Sequence, residues 1–431
     1  MSESRPHRDS PLSNITKPTS SSSSSSSFLL LSFIVVAPVI AGVILYQLDS
    51  FDPAPMPTHE FAQHPVFVPK QNSRMLQGAE LIGVGQLLAP EDLAYDPDWG
   101  LVYAGCVDGW IKRVSVNVSA DDAVVENWVN TGGRPLGLIL GHNNDLLIAD
   151  ADKELVWKYS SDLGERSRSS AGHLKRNIHS GGGAEISTPT DKSGLLKVTS
   201  DRTIELLTDE AEDVKFKLTD GVDITKDGMI YFTDASYKYS LKEFIWDILE
   251  GRPYGRFISY DPSTKETKVL VRDLYFANGV AISPDQSFVI FCETPMRRCK
   301  RYYIQGEKKG DVDTFIDNLP GIPDNIRYDG EGQYWIGLGT TTTLSWDLAL
   351  RYPFIRKVLA IMERYIGRPH MEINGGFLAV DLEGKPIAHY YDPKLSLVTT
   401  GIKIADYLYC GSITYPYIIR LNLTQHPAVA V

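Results

Sequence analysis

The sequence predicts an all-β protein, a six-bladed β-propeller with helical insertions that follows one N-terminal transmembrane helix. One strand–turn–strand pattern recurs six times, and an uncharged apolar run extends from Phe28 to Leu48. Turn-forming residues are also abundant, with 35 glycines and 25 prolines among 431 residues. Such a composition is typical of many short strands joined by turns.

The overall composition excludes one class of partner. Hydrophobic residues make up 43% of the chain and charged residues 23%, a balance that supports a buried core. The net charge of -11 argues against a nucleic-acid partner, because a phosphate backbone requires a basic face. The composition leaves the oligomeric state open.

The N-terminal segment predicts a membrane anchor. Residues 1–27 are polar and end in a run of serines, which indicates a disordered cytosolic tail. Residues 28–48 are long enough to cross the hydrocarbon core as a helix. Basic side chains precede this run and acidic ones follow it, so the positive-inside rule predicts a single-pass type II protein. The rest of the chain would then face the lumen of the endoplasmic reticulum or vacuole, or the cell exterior; a cleaved signal peptide is the alternative.

A lumenal or extracellular position predicts two covalent modifications. The sequons at Asn117 and Asn422 become glycosylation acceptors. Cys292 and Cys299 flank Thr-Pro-Met-Arg, a predicted hairpin turn. A turn centred on the Pro-Met pair places the two cysteines opposite each other, where they can form a disulfide; the alternative is two free thiols on opposite faces.

The propeller prediction rests on one repeated unit. An apolar stretch leads into a turn rich in Asp and Gly, and a second apolar strand ends in a small or polar residue. Six imperfect copies indicate six blades, whereas a two-sheet sandwich has no such recurring unit. The copies begin at Pro90, Arg134, Thr219, Ala277, Pro323 and Thr399. We therefore predict a propeller over residues 76–424, after a linker at 49–75 and before a tail at 425–431.

Three insertions interrupt the repeat. Tyr239–Glu250 and Leu344–Ile366 carry apolar residues at helical spacing, the second with a break at Pro353. These helices can pack on the edge of the propeller or cap its central mouth. Docking on a membrane ranks lower, because their charges are of mixed sign. Residues 154–192 are polar and rich in Gly and Ser, which predicts a disordered insertion in the hairpin of the second blade.

Three segments resemble the strictosidine synthase-like family of plants. They read KLTDGVDITKDGMIYFTDAS, FANGVAISPDQSFVIFCET and LPGIPDNIRYDGEGQYWIGLG. The resemblance covers residues 76–424 and extends to adipocyte plasma membrane-associated protein and, more distantly, to the paraoxonases. It implies a six-bladed propeller with a small-molecule site at its central tunnel.

The paraoxonase resemblance implies a calcium site in that tunnel. It places the metal ligands at Glu91, Asp220, Asn278, Asp324 and Asn325, at the inner ends of their blades. Oxygen ligands suit calcium, and the ion polarises the carbonyl of an ester or lactone. The alternative is that these side chains cap the innermost strands and satisfy their backbone.

The residues around this predicted site depart from both kinds of relative. The paraoxonase histidine dyad is replaced by Leu136 and by a residue near Asp150, so hydrolysis would require the metal alone or another base. Glu293 is a candidate acid/base group. The essential glutamate of strictosidine synthase is also absent, because its place falls near Thr399.

The sequence therefore predicts a metal-dependent hydrolase of arylesterase or lactonase type. Its substrate would be a small-molecule ester or lactone. Two alternatives remain: a non-catalytic ligand-binding propeller, and a strictosidine synthase-type Pictet–Spengler condensation that uses a relocated base.

Overall fold

The structure, a computed structural model, describes residues 24–60, 64–116, 119–151 and 193–431, with the backbone alone for residues 24–35 and 58. Contacts divide the chain into two compact units, Met1–Ser50 and Phe51–Val431. The predicted insertion at 154–192 and the sequon at Asn117 lie outside the described residues.

The first unit contains one helix, α1 (Ser24–Leu48), with Pro38 inside it. It begins within the predicted tail 1–27, of which residues 1–23 lie outside the described part. Across the described residues, no helix is both long and apolar enough to cross a membrane. The transmembrane helix therefore stays a prediction.

The second unit is a six-bladed propeller, as predicted. Two short strands, β1 (Lys70–Asn72) and β2 (Ala79–Ile82), precede the first blade. Blade 1 contains β3 (Leu93–Asp96), β4 (Leu101–Gly105), β5 (Trp110–Ser115) and β6 (Val125–Asn130). Blade 2 contains β7 (Arg134–Leu140), β8 (Leu146–Ala151), β9 (Gly194–Val198) and β10 (Ile204–Thr208), followed by a small hairpin of β11 (Glu210–Ala211) and β12 (Val214–Lys215). Blade 3 contains β13 (Thr219–Ile224), β14 (Ile230–Asp234), β15 (Gly255–Asp261) and β16 (Glu266–Leu274).

The remaining blades follow the same antiparallel order. Blade 4 contains β17 (Ala277–Ile282), β18 (Phe288–Glu293), β19 (Arg298–Tyr303) and β20 (Val312–Ile316). Blade 5 contains β21 (Gly321–Tyr328), β22 (Gln333–Thr341), β23 (Gly376–Asp381) and β24 (Pro386–Tyr391). Blade 6 contains β25 (Val398–Ile404), β26 (Tyr407–Ser412) and β27 (Ile418–Asn422), and β2 is its fourth strand. β28 (Val429–Ala430) and β1 extend blade 5, so the propeller reaches beyond the predicted limits 76–424 at both ends.

Glycines allow the innermost strands to approach one another around the axis. A Cβ atom at Gly221 on β13 would lie 2.7 Å from the backbone nitrogen of Val280 on β17. A Cβ atom at Gly279 on β17 would lie 2.5 Å from the Cα atom of Asn325 on β21. Because such distances exclude any side chain, glycine at this position of the repeat sets the width of the tunnel.

Two hairpins have the strand pairing expected from the sequence. In blade 2, β8 pairs with β9 from Leu146–Val198 to Asp150–Gly194, so the chain leaves and re-enters the sheet at adjacent positions. In blade 4, Cys292 and Cys299 are directly opposite in register and form a disulfide. Opposed positions on neighbouring antiparallel strands bring their Cβ atoms close enough for this bond.

The helical insertions form a cap on one face of the propeller. They comprise α2 (Phe244–Glu250), preceded by the 3-10 turn Leu241–Glu243, and α3 (Leu344–Arg351) and α4 (Pro353–Tyr365). Thr343 caps α3 by accepting a hydrogen bond from the Trp346 backbone, and Pro353 occupies the first turn of α4. The cap shares a buried apolar cluster with Leu136 and Phe276, so it covers the face of the propeller on which the inner strands begin.

Candidate metal centre

Three carboxylates from different blades meet at the axis. Glu91 precedes β3, Asp220 is the second residue of β13 and Asp324 lies in β21. One carboxylate oxygen from each residue lies within 4.8 Å of the corresponding oxygens of both other residues. Glu91 is 2% and Asp220 5% exposed, so solvent does little to screen their mutual repulsion.

Two asparagines complete the cluster that the resemblance implies. Asn325 Nδ2 donates to Glu91 Oε1 at 2.8 Å, and the Asn278 side chain hydrogen-bonds to Asp324. Their Oδ1 atoms and Glu91 Oε2 are buried without a hydrogen-bond partner among the described residues. Buried acceptors left unpaired are costly, and a cation would satisfy all three. The structure thus brings all five predicted ligands together, and their oxygen donors fit a hard divalent cation.

The carboxyl groups of the cluster have raised pKa values when no cation is present. Burial raises the pKa of Glu91 well above its usual range, and the carboxylates of Asp324 and Asp220 raise it further. Burial, with the Asp92 carboxylate, raises the pKa of Asp220 to about 8. The Arg134 guanidinium opposes both shifts; it is itself held by the carbonyls of Ala89 and Gly105 at 2.9 and 3.1 Å. The three carboxylates outnumber this one guanidinium, so the electrostatic potential of the cluster favours a bound cation.

A buried arginine closes the tunnel beneath the carboxylates. Arg327 on β21 forms an ion pair with Asp92 and donates to the Leu138 carbonyl at 3.0 Å. It also donates to the carbonyls of Val222 and Val280 at 3.4 and 3.3 Å. One guanidinium therefore joins blades 1 to 4 to blade 5, and a cavity of about 470 Å³ lies at the opposite mouth. Sequence analysis missed this role, although a basic residue in an apolar inner strand is an unusual feature.

Leu136 of blade 2 and Thr399 of blade 6, which stand where the relatives have functional residues, are uncharged. Leu136 is 2% exposed and packs in the apolar cluster beneath the cap. Thr399 donates to the Glu91 carbonyl, and the hydroxyl of buried Thr400 has no hydrogen-bond partner among the described residues. Asp406 is exposed beyond the far end of β25 and is excluded as a substitute for the missing glutamate.

Glu293 lies in a different environment from the cluster. Its carboxylate accepts from Arg298 Nε at 2.6 Å and from the Tyr275 backbone at 2.9 Å, and Lys300 Nζ lies 3.1 Å away. These contacts indicate a structural ion-pairing role. The assignment of Glu293 as an acid/base group stays a prediction without support from its surroundings.

Comparisons with known proteins identify the family of this chain. The profile of the strictosidine synthase family matches residues 220–307, and the profile of the N-terminal strictosidine synthase-like domain matches residues 70–114. Protein strictosidine synthase-like 6 of Arabidopsis thaliana is 48% identical over 398 residues, which cover 92% of this chain and 96% of the relative. The chain belongs to the strictosidine synthase-like family. Adipocyte plasma membrane-associated protein of Gallus gallus is 30% identical, with coverage of 81% of this chain and 79% of the relative.

Solved structures support the fold of this strictosidine synthase-like protein. A gluconolactonase from Xanthomonas campestris superposes with a TM-score of 0.52 at 14% identity, covering 83% of this chain and 96% of that one. At this identity the likeness establishes the propeller fold alone.

Proposed function

We propose that this protein is a cation-dependent hydrolase of small esters or lactones, with calcium as the ion. The convergence of Glu91, Asp220 and Asp324, with the unpaired amide oxygens of Asn278 and Asn325, carries the proposal. The likeness in fold to a gluconolactonase supports the lactone as a substrate class.

The chain's own residues prepare the site for such a substrate. Asn325 fixes the Glu91 carboxylate and leaves its second oxygen directed away from that hydrogen bond. Leu136 and Phe276 give the cap an apolar underside, which excludes water and strengthens electrostatic interactions at the axis. A bound calcium ion would act there as a Lewis acid on a carbonyl oxygen.

The test combines binding with turnover on the purified full chain. Asp324→Asn removes one of three anionic ligands, so calcium affinity measured by titration calorimetry should fall about tenfold or more. Turnover of aryl esters and lactones should fall with it. Asp98→Asn, at an exposed carboxylate, is the matched control. Absence of calcium binding by the unaltered chain, together with unchanged turnover by Asp324→Asn, would refute the proposal.

A second candidate is a non-catalytic propeller that binds a ligand at the same mouth. The buried Leu136, at the place where a paraoxonase has a histidine, favours it because leucine cannot transfer a proton. Calcium-dependent ligand binding without any turnover would select this candidate.

We also propose a membrane-anchored position with the propeller in an oxidising, glycosylating compartment. The Cys292–Cys299 disulfide supports it, since such bonds persist in secretory compartments. So does the plasma-membrane association stated in the name of a relative. Asn422 ends β27 and is only partly buried, so glycosidase treatment should shift the mass of the native chain by more than that of Asn422→Gln. Resistance of the propeller to protease in sealed microsomes tests the orientation, and digestion there would contradict it.

A further inference from the structure

The outer face of the cap carries an apolar stripe. Along α4, apolar residues recur every three or four positions and so share one face. They are Phe354, Val358, Ile361 and Tyr365. Phe354 is 57%, Val358 42% and Tyr365 59% exposed, whereas Leu359 and Ala360 on the opposite face are buried.

The preceding helix continues the pattern. On α3, Leu344 and Leu348 are 75% and 36% exposed, and Trp346 on the other face is buried. Tyr352, which joins the two helices, is 47% exposed, and Ile366 after α4 is 78% exposed. We call the exposed set Leu344, Leu348, Tyr352, Phe354, Val358, Tyr365 and Ile366 the cap stripe. Within it, the rings of Tyr352 and Phe354 lie 5.9 Å apart, and a group of exposed apolar side chains of this kind marks a binding face.

The charge of this segment differs from that of the chain. Residues 344–370 contain five Lys or Arg and two Asp or Glu, although the whole chain has a net charge of -11. Of the five basic residues, Arg351 and Arg368 form ion pairs with acidic side chains and Arg356 is buried. Lys357 and Arg364 lie beside the apolar stripe at helical spacing. Apolar and aromatic residues flanked by basic side chains are typical of helices that lie in a membrane interface.

The chain enters the propeller unit at this cap. Phe51 packs edge-on against Trp246 of α2 with ring centroids 5.4 Å apart, and Arg364 lies over the same indole at 5.3 Å. The backbone nitrogen of Ala54 donates to the Glu250 carbonyl at 2.8 Å. Only two residues separate Phe51 from the apolar segment that ends at Leu48, so the sequence joins the proposed anchor directly to the cap.

We propose that the cap stripe docks on a lipid bilayer, so that the capped face of the propeller lies against the membrane. The basic flanks and the adjacent apolar segment favour a bilayer over a second copy of this acidic chain. Docking of the cap requires neither the cation nor hydrolysis. It rests in part on the proposed membrane anchor and adds which face of the propeller meets the lipid.

The first experiment uses the full chain in phosphatidylcholine liposomes. An environment-sensitive fluorophore is attached at Val358→Cys or, as a control, at Trp99→Cys, a position 73% exposed in blade 1. The native free cysteines Cys106 and Cys410 are buried and so resist labelling. Spin-labelled lipids should quench the probe at 358 and not the probe at 99. Equal quenching by an aqueous ion at both positions, without lipid quenching, would overturn the proposal.

The second experiment separates the stripe from the anchor. The unit Phe51–Val431 contains every propeller strand and the disulfide, so it can be tested alone in vesicle flotation. It should float with phosphatidylcholine vesicles containing phosphatidylserine, and Phe354→Ser with Val358→Ser should weaken binding about tenfold or more. Phe67→Ser with Trp99→Ser, each 73% exposed elsewhere, should not. Lipid docking would be contradicted if the native unit did not float with vesicles, or if both double variants lost vesicle binding equally. It would also be contradicted if the native unit formed a dimer that the cap substitutions dissociate.

Discussion

At the scale of residues, the proposed metal ligands could be predicted, but the role of Arg327 beneath them could not. The resemblance implied the five ligand positions, and their places at the inner ends of four blades bring them to one axis in a closed propeller. Arg327 instead bonds to carbonyls from 47 to 189 residues away in sequence. Main-chain acceptors carry no signature in the side-chain pattern, so only the folded structure shows this contact.

Substitution of Arg327 tests the floor of the tunnel. Arg327→Leu leaves Asp92 buried and without its cation, so the free energy of unfolding should fall by about 3–5 kcal/mol in chemical denaturation. Arg113→Leu removes a more exposed pair with Glu126 and should cost less than about 1 kcal/mol. Equal losses in the two variants would contradict the role given to Arg327.

The raised carboxyl pKa values predict how cation binding depends on pH. Calcium must displace protons from Glu91 and Asp220, so its affinity should increase from pH 6 to pH 9 with measurable proton release. Titration calorimetry in buffers of different ionisation enthalpy measures both quantities. An affinity independent of pH would contradict a site built from these two carboxyl groups.

The same shifts affect the stability of the cation-free protein with a defined sign. The pKa of Asp220 rises from 3.8 to about 8 on folding, so the folded state binds the proton more tightly than the unfolded state. The stabilisation is complete below the unfolded value and is lost as pH rises towards the folded value. Asp220→Asn, which cannot titrate, should flatten this part of the dependence of melting temperature on pH between 4 and 8. An unchanged profile in that variant would contradict the assignment.

At the scale of elements, the helix limits followed from the sequence. The apolar spacing and Pro353 gave α3 and α4 nearly to the residue, because proline ends one helix and begins the next. The sequence did not predict on which side of the propeller the helices pack, because that side depends on where β14 and β22 end. Both strands end at the face that holds the carboxylates: Asp234 pairs with Thr219, and Thr341 pairs with Gly321.

Arg356 connects the cap helices and is fully buried. It donates to the carbonyls of Ala349 on α3 and of Leu249 and Glu250 on α2 at 3.0 to 3.1 Å, and also to that of Ala54. Arg356→Met leaves these helix-end acceptors unpaired, so we expect a loss of about 3 kcal/mol or more and faster amide exchange in α2 and α4. The adjacent Lys357→Met, at a partly exposed position, is the control. Unchanged exchange in Arg356→Met would show that apolar packing alone holds the cap.

At the scale of the whole molecule, the ring is closed by an N-terminal strand. β2 pairs with β27 over four residues, from Ala79–Leu421 to Ile82–Ile418. Ile82 is fully buried, and Glu80 accepts from Arg420 at 2.6 Å. Because β2 completes blade 6, the first and last parts of the propeller depend on one another for stability.

Truncation tests this closure. A chain that begins at Gly83 lacks β2 and exposes β27 as an unpaired edge, which promotes aggregation and removes Ile82 from its core. We expect this chain to unfold at lower denaturant concentration and to associate in light scattering. A chain that begins at Lys70 keeps β1 and β2 but lacks the upstream linker. The difference in stability between the two truncated chains therefore measures the contribution of residues 70–82. Equal denaturation midpoints for the two chains, without association, would mean that blade 6 is stable with three strands and that packing between blades holds the ring instead.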